Sequence, residues 1–324
     1  MRFIEFVVKN ADKISLWEAV SSNPQIEWKD IVDHPELPWS SKGVSFNPSI
    51  GWNIVKENPF GPNGATWWLG WDANRLSANP SITYKNIKNN PYGPMYQGRP
   101  INPGWLWDVD WVSGKKDITA EDILECEDYW NYIPLSMNEN IDIEFIVQHD
   151  GHDWDPLMLM RNKIVNWTIY KQLWDNPPTN EILLALRDHL FIENPNCRWG
   201  HINAYLPGSS YYMSILSTKS FINPDIIEAN INLHWDYQAL SRNRSISIDF
   251  VIKHINENWD WDDLSRTIHW DFILEHPDLP WNARFAAANK SLRSNIVERY
   301  PFGPKNSSDW VWNFDVVVSN PMSY

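Results

Sequence analysis

The densest set of potential metal ligands in this chain is His149-Asp150-Gly151-His152-Asp153, with two imidazoles and two carboxylates in one short run. Imidazole nitrogens suit zinc, and carboxylate oxygens suit calcium or magnesium. The acidic run Glu121, Asp122, Glu125, Glu127 and Asp128 could supply the paired carboxylates of a glycoside hydrolase. A serine recurs as Ser45, Ser77, Ser113, Ser136, Ser241 and Ser265, yet no His or Asp keeps a fixed spacing from it, and a nucleophilic hydroxyl needs such a base. Between Pro178 and Tyr211, the residues Asp188, His189, Glu193 and His201 could line a cleft for hydrolysis or carbohydrate binding. No glycine-rich loop of the kind that cradles phosphate is present.

The elements that would have to position these groups are written in a repeat. A phrase made of Trp, a short polar residue, three variable positions, an aliphatic, Ser, any residue and Asn begins at Trp39, Trp71, Trp107, Trp130, Trp154, Trp235, Trp259, Trp281 and Trp312. Tyr211 and Ser15 open aromatic-substituted and degenerate copies, and a decayed copy starts near Pro178. Counting the opening residue as position zero, position five is aliphatic (Val44, Leu76, Val112, Leu135, Leu159, Leu240) and position eight is usually Asn (Asn23, Asn47, Asn79, Asn138, Asn243, Asn320). A second apolar pair occupies positions eleven and sixteen, as in Ile82 with Ile87 and Ile141 with Ile146. The unit from Trp259 is two residues short, and allowing that gap restores Trp270, Ile273 and His276 to register.

Position one is Ser, Asp or Asn wherever Trp opens the unit, the residue types whose side chains cap helix N-termini. Positions zero and five then form a hydrophobic staple, and Asn-Pro, as at Asn79-Pro80, ends a helix of about two turns. Position twelve (Thr83, Thr119, Asp142, Ser247) caps a second short helix stapled by positions eleven and sixteen. Helices so short are unstable alone and must bury their apolar faces on neighbouring units. The predicted fold class is therefore all-α: tandem helix-turn-helix repeats of about 24 residues, some with longer loops, stacked as an α-solenoid-like array. Residues 1–324 are expected to form a single repeat domain of about twelve units, with a degenerate stretch at 176–211.

This grammar reassigns the apparent chemistry. His149 stands at position nineteen, shared with His34, His254 and, after the gap, His276, so it reads as a helix-end residue bonding a terminal carbonyl. Thr119 and Asp122 make a capping box, which turns the acidic run into a solvated helix face. The repeated Ser reads as a hydroxyl near a helix end. No catalytic, cofactor or metal residue is assigned, and the chain is expected not to be an enzyme.

Composition narrows the partners. The chain has 27 basic and 41 acidic side chains, for a net charge of −14, and no basic stripe to oppose the repulsion of a phosphate backbone. Nucleic-acid binding is not expected, and neither is membrane insertion, since no apolar run reaches spanning length. Cys126 and Cys197 offer at most one bridge, which fits a reducing compartment. There are 22 tryptophans, several times the ordinary share, and the repeat absorbs most of them as staples. Trp67, Trp68, Trp105 and Trp310 lie in inserted loops just ahead of a repeat start and are expected to be displayed for interaction. Trp111, Trp174 and Trp199 are left without a place in the repeat.

The phrases from Trp71-Asp72 through Leu76-Ser77-Ala78-Asn79-Pro80-Ser81-Ile82-Thr83, and Trp259-Asp260-Trp261-Asp262-Asp263-Leu264-Ser265, resemble the WDW-x-x-LS-x-NP-x-IT repeats of proteins encoded by giant DNA viruses of protists. The resemblance covers nearly the whole chain, weakly between Asn176 and Tyr211. It implies a viral product in the host cytoplasm, with packaging in the particle as a further option. The function expected is a non-enzymatic scaffold or interaction protein whose partner is a viral structural protein or a host factor. A hydrolase or carbohydrate-binding protein centred on 178–211 is the alternative.

Overall fold

A computed structural model describes residues 2–61, 70–176, 178–188, 191–202 and 210–320. These contain 24 α-helices and one two-stranded antiparallel hairpin, so the chain is helix-rich with almost no strand. The helices alternate as the repeat requires. Ala73–Ala78 and Tyr84–Asn89 form one unit, and Trp261–Thr267 and Trp270–Glu275 form another. All nine position-one residues that follow a Trp cap their helices through the side chain, from Ser40 and Asp72 to Asn282 and Asn313. The second helices are capped at position twelve by Thr83, Thr119, Asp142 and Ser247, and also by Asn166, Asn223 and His269. The stapled aliphatics Val44, Leu76, Leu159 and Leu240 are wholly buried, as are Ile31, Ile50, Ile82 and Ile118 from the second pair.

What joins one repeat to the next is a set of side-chain hydrogen bonds to backbone groups that two-turn helices cannot satisfy internally. Asn79, at position eight, donates its amide to the carbonyls of Ser45, Asn47 and Ile50 at 2.9, 2.9 and 3.1 Å, which are positions six, eight and eleven of the unit before. Asn243 does the same to Ser217, Lys219 and Ile222, and Asn138, Asn162, Asn289 and Asn320 reach two such carbonyls each. The amide oxygen of Asn79 meanwhile accepts from the Ser81 N–H, holding the turn, so the buried side chain is satisfied at both ends. The repeated Ser is the second connector. Ser77 donates to the Ala73 carbonyl within its own helix and accepts from the Asp108 N–H of the next unit, and Ser136, Ser217, Ser241 and Ser265 repeat the arrangement.

Most threshold tryptophans are buried, Trp39 and Trp107 being half-buried, and their indole N–H makes the third connector. Trp71, Trp107, Trp154, Trp235, Trp259, Trp281 and Trp312 each donate, at 2.7–3.0 Å, to the carbonyl of position nineteen in the preceding unit. Trp130 alone among the described threshold indoles has its buried N–H unpartnered. Aromatics at position thirteen meet the threshold indole two units on: Trp28 with Trp71, Trp52 with Trp107, Tyr84 with Trp130 and Trp270 with Trp312, at 5.1–5.8 Å between centroids. Such ring pairs add about 0.5–1.5 kcal/mol each beyond the area they bury.

The described residues gather into two compact units. One comprises 27–35 and 40–202, where first helices of successive repeats touch, as Ser41–Phe46 does Ala73–Ala78. The other comprises 1–26, 36–39 and 203–324, where Ser210–Ser217 touches Tyr237–Leu240 and Trp17–Ser22 touches Phe314–Ser319.

The decayed repeat keeps the connector. Asn194 donates to the carbonyls of Met160, Asn162 and Val165, as a position-eight residue should, and this register puts Cys197 at position eleven and Trp199 at position thirteen. Trp199 therefore belongs to the pattern after all. The disguise comes from the first helix, Glu181–Asp188, which runs two residues longer than most of its counterparts, with a 3-10 turn Phe191–Glu193 before the Asn. In the Trp107 unit a lysine stands at position eight instead. Lys115 is buried and donates to the Asn79 carbonyl at 2.6 Å, and burial lowers its ammonium to about 8, against a smaller opposing effect of Asp117.

Two outcomes follow for stability. Asn79→Ala strands three buried carbonyls and is expected to cost about 3 kcal/mol in urea unfolding. Folded Lys115 releases its proton near pH 8 while the unfolded chain holds it to about 10.5, so the unfolded state binds more protons in that window and stability should rise with pH across it. Lys115→Asn should abolish that rise, seen as the difference between the two proteins' urea midpoints from pH 7 to 10, and should stabilise the fold at pH 7.

Candidate interaction surface

The inserted loops all open between position nineteen of one unit and the threshold Trp of the next. The indole-to-carbonyl bond closes each loop at its base: Trp107 to Asn90 and Trp312 to Tyr300, at 2.9 Å in both. Two of these loops are built alike. Gly93 and Gly303, at φ +72° and +71°, follow Pro91-Tyr92 and Pro301-Phe302. The rings of Trp105 and Trp310 lie directly on them, where a Cβ would fall inside the indole. Each ring also meets the threshold indole edge-on, at 5.3 Å for Trp105 with Trp107 and 5.6 Å for Trp310 with Trp312.

The expectation that these loop tryptophans are displayed is corrected here. Trp105 is buried and Trp310 half-buried, because a glycine in the left-handed region offers a flat, side-chain-free platform. Trp67 and Trp68 lie outside the described residues. What the loops show to solvent is the residue between the paired indoles: Leu106 is 80% exposed and Val311 71%, the two most exposed large apolar side chains described. Near Leu106 in the chain, Met95–Tyr96 pairs with Arg99–Pro100 across Gln97 and Gly98, both at positive φ as a primed hairpin turn requires. Tyr92, Met95 and Tyr96 are exposed, and Tyr96 is held edge-on against Phe60 at 4.9 Å. No sequence signal singled out Leu106 or Tyr96. The cue was the Gly-Pro turn, which marks where an indole can lie flat.

The groups that looked chemical are occupied structurally. His149 bonds the Phe145 carbonyl at 2.8 Å through Nδ1 and stacks on the Phe145 ring, as its register indicates. His152 lies flat on Tyr132 at 4.0 Å, with its Nε2 3.7 Å from Glu127. Burial and the nearby Glu127 and Asp128 push the Tyr132 hydroxyl up to about 12. Among the described residues no group of three His, Cys, Asp or Glu could hold a metal ion. In the acidic run, Asp122 completes the capping box with Thr119, and Lys88 spans Asp122 and Glu125 at 2.9 and 2.7 Å.

The described side chains of the 178–202 segment include a buried apolar group. Leu186, Phe191, Ile192 and Cys197 are buried, and Trp167 stacks on His201 and meets Phe191 at a tilt. Burial and Arg198 hold the His201 imidazole below its usual range, while Glu193 pairs with Arg161 at 3.5 Å. Asp188 ends the helix Glu181–Asp188, and His189 lies outside the described residues. Cys126 and Cys197 are both free thiols, the first exposed and the second buried. No described helix is long and apolar enough to cross a membrane.

Comparison with family models, with curated proteins and with solved structures finds no match to this chain. The geometry of the loops thus carries the functional reading alone.

Gly93→Ala and Gly303→Ala are each expected to lower stability by about 2 kcal/mol, from positive-φ strain plus displacement of the indole. Gly151→Ala, whose added methyl meets open space, should be near neutral in the same thermal melts.

Proposed function

We propose that the chain is a non-enzymatic interaction scaffold, its repeats stacked in the manner of an α-solenoid within each compact unit, and its inserted loops carrying the contact with another protein. The observation that supports this most is Leu106, an apolar side chain largely in water, set in the chain between the buried Trp105 and the half-buried Trp107, whose indoles pack edge-on. A residue so held loses little freedom when it enters a partner's pocket, which is what makes aromatic and anchored apolar residues dominate interface energies. Tyr92, Met95 and Tyr96 extend the apolar surface of that loop, and Phe302 with Val311 form the matching surface on the second loop. The side chains that would otherwise suggest catalysis are spent on helix ends and joints. The repeat phrase supports a product of a giant virus of protists, acting in the host cytoplasm or the particle, with a viral structural protein or host factor as partner.

Cross-linking and affinity capture from infected cells, using the intact chain, Leu106→Asp and Val311→Asp as parallel baits, tests the proposal. A partner retained by the intact chain and lost from Leu106→Asp, with the far-ultraviolet circular dichroism unchanged, is the expected result. Identical partners on all three baits, or substrate turnover by the purified chain, would sink it.

A further inference from the structure

Within the compact unit that holds both ends of the chain, the first repeat docks on the Trp312 repeat through the same connectors used elsewhere. Asn23, at position eight, donates to the carbonyls of Val318 and Asn320, positions six and eight of the Trp312 unit, at 2.9 and 3.3 Å. The helix Phe3–Lys9 precedes the first repeat as every second helix precedes its next unit. Asn10 stands at position nineteen and bonds the carbonyl four residues back, as Asn58 and Asn90 do. That helix meets Phe314–Ser319 through stacked Phe6 and Phe314, with Lys13 over the Phe314 ring at 4.9 Å. One structural unit is thus assembled from residues about three hundred positions apart.

This joint differs from the others in ways that favour its opening. Every other described connector spans 36 residues or fewer, so a short stretch of chain keeps its two sides together, and here none does. Position six is Val318, which, like Met160 and Ala287 in their units, has no hydroxyl to receive the next repeat's N–H. Asp315 takes over, accepting from the N–H groups of Ser15 and Leu16 at 2.7 and 3.0 Å and from the Ser15 hydroxyl, in exposed positions. A further polar tie, Lys9 to Glu298 at 2.6 Å, is solvent-exposed and so contributes little. Beside it lies an open cavity of about 450 Å³ bordered by Phe6, Lys9, Glu298, Phe302, Trp310 and Phe314.

We propose that this joint is exchangeable, and that the partner it takes when open is a second copy of this chain, the first repeat of one copy seating on the Trp312 repeat of the other. The two faces are complementary by construction, since each already fits the other within one chain. Exchange of an identical element between copies needs no new contact, only enough concentration to compete with the intramolecular one. The proposal is independent of what the loops bind.

Complementation tests it on the full chain. One variant carries Phe6→Ala with Asn23→Ala and loses its first-repeat face; the other carries Phe314→Ala with Asp315→Ala and loses the face that receives it. Light scattering after size exclusion should find each alone as a monomer and an equimolar mixture with a species of twice the mass, joined through the one intact face on each. A mixture that stays monomeric while both variants keep their helical circular dichroism overturns the proposal. Should either variant unfold, the unaltered chain decides: refolded from urea at rising concentration, it should give a growing dimer fraction, and monomer throughout would refute exchange.

Discussion

A helix of two turns leaves most of its carbonyls and N–H groups without an internal partner, and the whole molecule is organised around supplying them from the next repeat. Three side chains share the task. Asparagine at position eight reaches back to carbonyls, serine at position six receives an N–H from the unit ahead, and the threshold indole caps position nineteen. Because each donor or acceptor sits on one unit and its partner on the adjacent one, no repeat can satisfy itself. Stability therefore resides in neighbouring pairs, as nearest-neighbour descriptions of repeat proteins require.

The same economy employs many of the Ser, His and Asp side chains, which are bound to backbone groups. The serine hydroxyls both donate and accept, His149 holds a helix end, and Asp260 and Asp108 cap helices. Even the unusual buried amine of Lys115 is used as an asparagine substitute, donating to the same class of carbonyl.

Much of the fold was legible in the residues. Short helices, their caps and their buried aliphatics follow from positions one, five, eleven, twelve and sixteen, because those effects are local. The connectors were not legible, since serine and asparagine near a helix end have ordinary local explanations and only the neighbouring unit reveals what they bond. The decayed repeat was placed but not registered, as the longer helix Glu181–Asp188 shifts Asn194 away from its expected distance. Trp105 was misjudged for a different reason: exposure was inferred from loop membership, while its burial depends on Gly93 folding beneath it. Contact between residues three hundred apart, as between Asn23 and Asn320, leaves no periodic trace at all.

The position of the loops has an evolutionary side. Each insertion begins after a carbonyl and ends before an indole that are hydrogen-bonded to one another, whether five residues separate them, as in His254 and Trp259, or seventeen, as in Asn90 and Trp107. Genetic change in the intervening stretch can lengthen, shorten or rewrite it while the framework on either side stays the same. Such a site lets the loop's length and exposed residues vary, as long as a glycine remains for the indole to lie on.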